Sequence, residues 1–444
     1  MEFTTHLYKT VLLAIPMVIA RAGLLVMVAV DTAMVGHYGT TPLAHYAASN
    51  ALQIVIVLVG VGLSQGTVIM VAQAKGAGND SACGKIWRVG LIQGSFFGIL
   101  MGLICFLGEP LLLLFGQTQS IATGGSDVLI WISWGFPAFM IWATTGFFLE
   151  GLGKPLPAMI SMIGAVVLNA ILNWIFIFGE LGAPEMGAQG AAITTSIVRW
   201  LMMLVLVSYV FIALKNKNLG ITGPFKGFFQ LANKYRKIGF PLGIARGLEA
   251  ASFSALTMFA GWISTISLAG YQIAFNLIAL AFMCAIGIAG ASTVRVGNAV
   301  GKNDMTDLKR AGLASIVLVV SLMTCVMAVY LSLSDQLAKI YTKDIMVSGI
   351  AAGLIGLAGI VLIFDGLQAV LMGCLRGSSD VWIPSLLQLI AWWGLTIPIA
   401  WILAFHADLG VKGLMWAFLI GAIAASLMLG IRFIAISKRP GNRF

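Results

Sequence analysis

Apolar residues occupy this chain in long blocks, with polar residues gathered in short clusters between them. Runs of at least about 18 apolar residues are long enough to cross a hydrocarbon core as a helix. Twelve such runs are predicted, with cores near 11–36, 44–72, 86–107, 121–147, 156–178, 188–213, 238–262, 268–299, 311–333, 346–372, 381–404 and 412–436. The first is too long for a cleaved signal peptide and lacks the small-residue cleavage site, so it should remain as a helix. The longest polar interruption, Lys215 to Lys237, falls near the midpoint and reads as a basic linker. The pattern therefore predicts an all-α membrane protein: a six-helix lobe over 1–214, a cytoplasmic linker over 215–237 and a second six-helix lobe over 238–444.

The two lobes repeat one another. An offset of 225 residues brings Pro16 onto Pro241, Arg21 onto Arg246, Tyr46 onto Tyr271, Gly62 onto Gly287 and Gly76 onto Gly301. Further on, Leu149-Glu150-Gly151 meets Leu375-Arg376-Gly377, and Gly187 and Gly190 meet Gly410 and Gly413. Six spans per repeat give both halves the same orientation, an arrangement typical of transporters that alternate access around a central cleft.

Composition agrees: 60% of residues are hydrophobic and 9% charged, far below the charge of a soluble domain. The net charge of +10 does not point to nucleic acid, because its distribution is topological. Lys75, Lys85 and Arg88 follow span two, Lys154 span four, and Lys215, Lys217, Lys226, Lys234, Arg236 and Lys237 span six. Lys302, Lys309 and Arg310 follow span eight, Arg376 span ten, and Lys438, Arg439 and Arg443 span twelve. The opposite connections are mostly neutral or acidic, with Lys339, Lys343 and Lys412 as exceptions. This positive-inside pattern places both termini in the cytoplasm. The five cysteines are scattered without a CxxC spacing, and no cofactor motif, metal-binding motif or nucleophile–base set suggests an enzyme.

Ionisable residues inside spans are costly, at least about 2.5–3.5 kcal/mol on insertion scales, and mark candidate function. At about 1.5 Å of rise per residue, Glu249 and Asp365 reach mid-membrane from their cytoplasmic anchors, whereas Asp31 lies nearer the outer end of its span. Asn169 and Asn173, four residues apart, share a helix face at the depth of Asp31. Two polar clusters are predicted: Asp31 with Asn169 and Asn173 in the first lobe, and Glu249 with Asp365 in the second. Asparagines can also act simply as interhelical glue, and Arg246 can pair with Glu249 within one helix. Arg21 and Arg246, at equivalent repeat positions, suggest a shared structural role, and Arg199 has no repeat partner.

Burial disfavours the charged form of a carboxylate, so a proton, a sodium ion and an organic cation compete to neutralise it. That competition is a basis for antiport. Phe253, Phe275 and Phe282 lie near the second-lobe acids along the helices, where aromatic faces can hold a flat organic cation. The 21 methionines offer adaptable apolar surface.

Three stretches resemble the MATE (multidrug and toxic compound extrusion) family, most closely its NorM branch. They are Pro16 to Gly36 with its VDTAMVG ending, Pro241 to Gly301 with VRVGNAVG, and Phe364 to Gly377 with CLRG. The resemblance implies two six-helix lobes facing a central cleft and cation-coupled export of drugs and dyes across a bacterial inner membrane, with no cofactor beyond the coupling ion, H+ or Na+. It implies cation-coupling roles for Asp31, Glu249 and Asp365, and substrate contacts at Asp31, Asn169, Asn173, Phe253 and Phe282. Glu249 and Asp365 become metal ligands if sodium is the ion. Some relatives carry a tyrosine one turn before the helix-ten aspartate; here Val361 removes that phenol. The expected partners are organic cations and membrane lipid around a monomer. The alternatives are a lipid-linked flippase of the same superfamily, which should have a more cationic cleft, and an integral-membrane enzyme, for which no motif is present.

Overall fold

The computed structural model describes residues 3–224 and 227–438; Lys226, Arg439 and Arg443 of the charge pattern lie outside these. All regular structure among the described residues is helical. Twelve long segments follow in order: α1 Phe3–Tyr38, α2 Thr40–Gly76, α3 Asp80–Cys105, α4 Gln119–Ser133 with Phe136–Gly151, α5 Leu156–Phe178 and α6 Gly187–Ala213. The second set is α7 Phe228–Ile263, α8 Thr265–Gly301, α9 Met305–Ser332, α10 Ile345–Gly377, α11 Trp382–His406 and α12 Gly410–Ser437. Ten of these are long and apolar enough to cross a membrane, eleven with the bent α4. α7 completes the twelve but carries Lys234, Arg236, Lys237, Arg246 and Glu249 along its length.

Local chemistry sets the ends. Asn79 caps α3 by accepting from the Ala82 amide, Asp304 caps α9 through Thr306 and Asp307, and Asp344 caps α10 through Met346 and Val347. Gly179, at φ 75°, ends α5 in the left-handed region open to glycine. Outward positions such as Phe96, Leu103, Leu204 and Ile212 are exposed and apolar, which suits a lipid solvent.

One expectation needs correction, and two further features lie beyond what the hydrophobic pattern predicts. Residues 215–237 are not all linker: α7 begins at Phe228. The polar run hid this helical turn, whose Ala232 and Tyr235 are buried by tertiary packing. The fourth span is bent by 51° between Gln119–Ser133 and Phe136–Gly151. The break falls at Gly135 and Pro137, and a Cβ at Gly135 would lie 3.0 Å from the Ser196 backbone on α6. Short helices Gly108–Leu114 and Ser334–Tyr341 occupy two of the connections between spans.

The chain forms two compact units, 19–244 and 1–18 with 245–444; these are the first and second lobes below. Their boundaries differ from the linker-based division, because they cut through α1 and α7 just after Pro16 and Pro241. Proline lacks the amide hydrogen and crowds the preceding turn, so it favours a change of direction there. Within the first lobe, a Cβ on Gly62 would lie 2.6 Å from the Leu242 carbonyl oxygen of α7. Its repeat counterpart Gly287 meets the Val18 backbone of α1 within the second lobe. The repeated glycines thus permit equivalent close backbone approaches.

Each incoming half-helix has a polar anchor. In the first lobe Tyr235 Oη and Thr67 Oγ1 are 2.9 Å apart, and Tyr235 donates to the Ser64 carbonyl at 3.3 Å. In the second, Arg295 of VRVGNAVG donates through Nη1 to the His6 carbonyl at 3.0 Å, with Nη2 2.8 Å from His6 Nδ1.

Candidate functional site: one buried carboxylate cluster in each lobe

In the first lobe Asp31 is 1% exposed. Asn173 donates to its Oδ1 at 2.6 Å, while Tyr46 and Thr195 donate to Oδ2 at 3.0 and 3.1 Å. Asn173 also donates to Asn169 Oδ1 at 3.3 Å. The carboxylate from α1 is therefore held by α2, α5 and α6, all through neutral donors. The predicted grouping of Asp31, Asn169 and Asn173 is present, and Tyr46 and Thr195 are additional. Tyr46 had stood out only as a repeat match, and nothing in the local pattern separates Thr195 from other small polar residues in membrane helices.

The Asp31 cluster also holds unused polar capacity. Asn173 Oδ1 and Asn169 Nδ2 are buried without a hydrogen-bond partner among the described residues. Such groups cost free energy when left dry. An oxygen-seeking cation, or a proton on the carboxylate after rotation of the Asn173 amide, would satisfy Asn173 Oδ1.

In the second lobe Asp365 and Glu249 are 2% and 6% exposed and belong to one network. Gln368 donates to Asp365 Oδ1 at 3.1 Å; Gln388 Nε2 reaches Gln368 Oε1 at 3.1 Å and Glu249 Oε1 at 3.4 Å. Arg246 closes the network on Glu249 Oε2 at 2.6 Å, the intrahelical pair foreseen from the sequence. Asp365 and Glu249 consequently differ in kind: Glu249 is ion-paired, whereas Asp365 is hydrogen-bonded to a neutral amide. Gln388 precedes a π-helical stretch of α11, Ile390–Thr396, a widening often found at functional positions. Periodicity alone does not reveal that feature.

Phe253 joins an aromatic cluster with Phe275, Trp392 and Phe418, at centroid separations of 5.6, 5.1 and 5.3 Å. Phe282 is half-buried on α8 and, among the described residues, makes no ring-to-ring contact with this cluster. Val361 is fully buried and supplies no oxygen.

The repeat gives these clusters a reciprocal layout. Asp31, Tyr46 and Thr195 map onto Leu256, Tyr271 and Phe418, while Asp365 and Gln368 map back onto Phe139 and Trp142. Each polar cluster stands where the other lobe is apolar or aromatic. The paired arginines diverge in the same way. Arg21 binds both oxygens of Glu150 at 3.0 and 3.2 Å and covers Phe147 at 5.0 Å. The counterpart of Glu150 is Arg376, so Arg246 takes Glu249, one turn along its own helix, instead.

The MatE family model matches residues 16–175 and 241–402, one stretch in each half of the chain. A probable multidrug resistance protein NorM of Xylella fastidiosa (strain Temecula1 / ATCC 700964) is 30% identical over 439 residues, covering 99% of this chain and 94% of that relative. A protein of the same description from Bradyrhizobium diazoefficiens is 31% identical over 446 residues, covering 97% and 94%. Among solved structures, the eukaryotic MATE transporter AtDTX14 superposes with a TM-score of 0.90 at 21% identity, covering 97% of this chain and 96% of that one. The Vibrio cholerae MATE transporter VcmN in its bent form gives 0.88 at 20% identity, covering 98% of each. These structures share the twelve-helix, two-lobe fold.

Proposed function

The chain belongs to the MatE family, a family of transporters rather than enzymes, and on that premise we propose that it is a secondary active multidrug antiporter. It exports hydrophobic, mostly cationic compounds in exchange for protons or sodium by alternating access. The observation that carries this reading is the presence in each lobe of a buried carboxylate, Asp31 or Asp365, with neutral hydrogen-bond donors and, among the described residues, no ion-pair partner. A carboxylate kept in such a place gains by taking up a cation.

Coupling follows from competition. A proton or sodium ion neutralises the same carboxylate that an organic cation would, so loading one favours release of the other. Glu249 supports the second-lobe site: Gln388 links it to Asp365, and its pair with Arg246 leaves Asp365 as the carboxylate open to a cation. Sodium would find oxygens at Asp365, Gln368 and Glu249 in this lobe, or at Asp31, Asn169, Asn173 and Thr195 in the first. The aromatic cluster around Phe253 suits a flat cationic cargo by cation–π attraction. The distribution of Lys and Arg supports cytoplasmic termini in a bacterial inner membrane, with the chain acting as a monomer.

The test is ethidium efflux from cells, or its uptake into inverted vesicles, under separately imposed proton and sodium gradients. Efflux should be accelerated by at least one gradient and abolished when both are collapsed. Gradient-independent export would refute antiport.

A further inference from the structure

Arg199 has no role in the repeat and no partner in the clusters described so far. It lies one helical turn beyond Thr195 on α6, on the same face. It is buried, and its Nε and Nη1 lack hydrogen-bond acceptors. Its guanidinium carbon stands 5.1 Å from the ring centroid of Phe136 and 5.2 Å from that of Phe139. Thr195, one turn before it, donates to Asp31 Oδ2 at 3.1 Å, so Arg199 stands next to the Asp31 cluster along α6. Gly135, at the bend of α4, makes room for it: a Cβ there would lie 2.9 Å from Arg199 Cδ.

A buried guanidinium ordinarily takes a carboxylate in its planar fork. Here aromatic faces take that place, and the repeat shows the exchange: Phe139 occupies the position where the second lobe has Asp365. The cation is thus kept beside the Asp31 site without being allowed to close on its carboxylate.

We propose that Arg199 is a fixed counter-charge that sets the cation affinity of the Asp31 site. The inference rests on Asp31 being a coupling or cargo site. With that site empty, Asp31 and Arg199 sum to zero charge; a bound cation leaves the pocket with one positive charge, which favours release. Without Arg199 the empty pocket is negative and the filled one neutral, so the cation binds more tightly. The other side chains that face the carboxylate, Tyr46 from α2, Asn169 and Asn173 from α5 and Thr195 from α6, carry no compensating charge. Arg199 is therefore a positioning charge rather than a ligand.

The experiment compares wild type, Arg199→Gln, Arg199→Lys, Phe139→Asp, Asp31→Asn and Asp31→Asn with Arg199→Gln in vesicles loaded with ethidium. Initial rates are measured against sodium at fixed pH and against pH at fixed sodium, normalised to folded protein. Arg199→Gln should lower the half-saturating sodium concentration about tenfold, which corresponds to about 1.4 kcal/mol. If protons drive the cycle, it should instead raise the pH midpoint by about one unit, because removing a positive charge lets the site hold its proton to higher pH. The maximal rate should fall as release slows. Arg199→Lys should stay near wild type, because it keeps the charge. Phe139→Asp should shift in the same direction as Arg199→Gln by giving the guanidinium a carboxylate of its own; it carries the test if Arg199→Gln is not recovered folded.

Wild-type half-saturation and pH midpoint in folded Arg199→Gln, or in Phe139→Asp where that variant carries the test, would overturn the counter-charge, as would an equal shift in Arg199→Lys. Full ion-dependent efflux by Asp31→Asn would overturn the first-lobe coupling site itself. In the double variant, Arg199→Gln should produce no further shift.

Discussion

At the scale of residues, the repeat provides an internal control for what a buried hydroxyl does. Tyr46 and Tyr271 occupy equivalent positions, and both are buried. Tyr46 donates to Asp31, whereas the Tyr271 hydroxyl has no partner among the described residues, because the counterpart of Asp31 is Leu256. Tyr46→Phe should therefore cost about 1–3 kcal/mol by leaving the carboxylate short of a donor, while Tyr271→Phe should be neutral or stabilising. Thermal unfolding of the two purified variants checks this, and equal losses would contradict the assigned bonds. Asp31, Asn169 and Asn173 were legible in the sequence because an acid inside an apolar run and two asparagines at helical spacing are each rare and directional. Thr195 and Gln388 were not, since their importance comes from neighbours on other helices, Asp31 for Thr195 and Glu249 and Gln368 for Gln388. Glu150, paired with Arg21, was visible only as a repeat match near the end of a predicted span.

At the scale of elements, hydrophobic runs located all twelve long helices but gave no account of their interruptions. The bend in α4 depends on Gly135 fitting against α6, and the first turns of α7 depend on burying Tyr235 and Ala232; both are tertiary effects that no local pattern carries. The crossing points through Pro16 and Pro241 were legible as repeated prolines, and their meaning emerged only with the glycine contacts beside them. Gly62→Ala should destabilise the protein by about 1–3 kcal/mol, since its Cβ would press on the α7 backbone and backbone cannot yield as a side chain can. Gly164→Ala on α5 is the control: a Cβ there meets nothing within 4 Å, and alanine favours the helix by about 1 kcal/mol. A differential scan in detergent should separate the two, and a Gly62→Ala midpoint equal to wild type would contradict the close approach.

At the scale of the whole molecule, a duplicated scaffold carries non-duplicated chemistry. Helix count, prolines, close-approach glycines and the Tyr46/Tyr271 and Arg21/Arg246 pairs repeat; the carboxylates Asp31, Glu249 and Asp365 do not. Each polar cluster is set where the other lobe has packing, so the two lobes are equivalent as frames and different as sites. Such asymmetry is hard to explain by packing alone, which would be served as well by two copies of either arrangement. It follows that neither carboxylate cluster should substitute for the other. The most direct measurement is gradient-driven ethidium efflux by Asp31→Asn, Asp365→Asn and Glu249→Gln at matched levels of folded protein. The proposed function predicts at least a roughly tenfold loss in each of the two aspartate variants, equivalent to about 1.4 kcal/mol of lost coupling, with Glu249→Gln also impaired. Export at the wild-type rate by all three would contradict it.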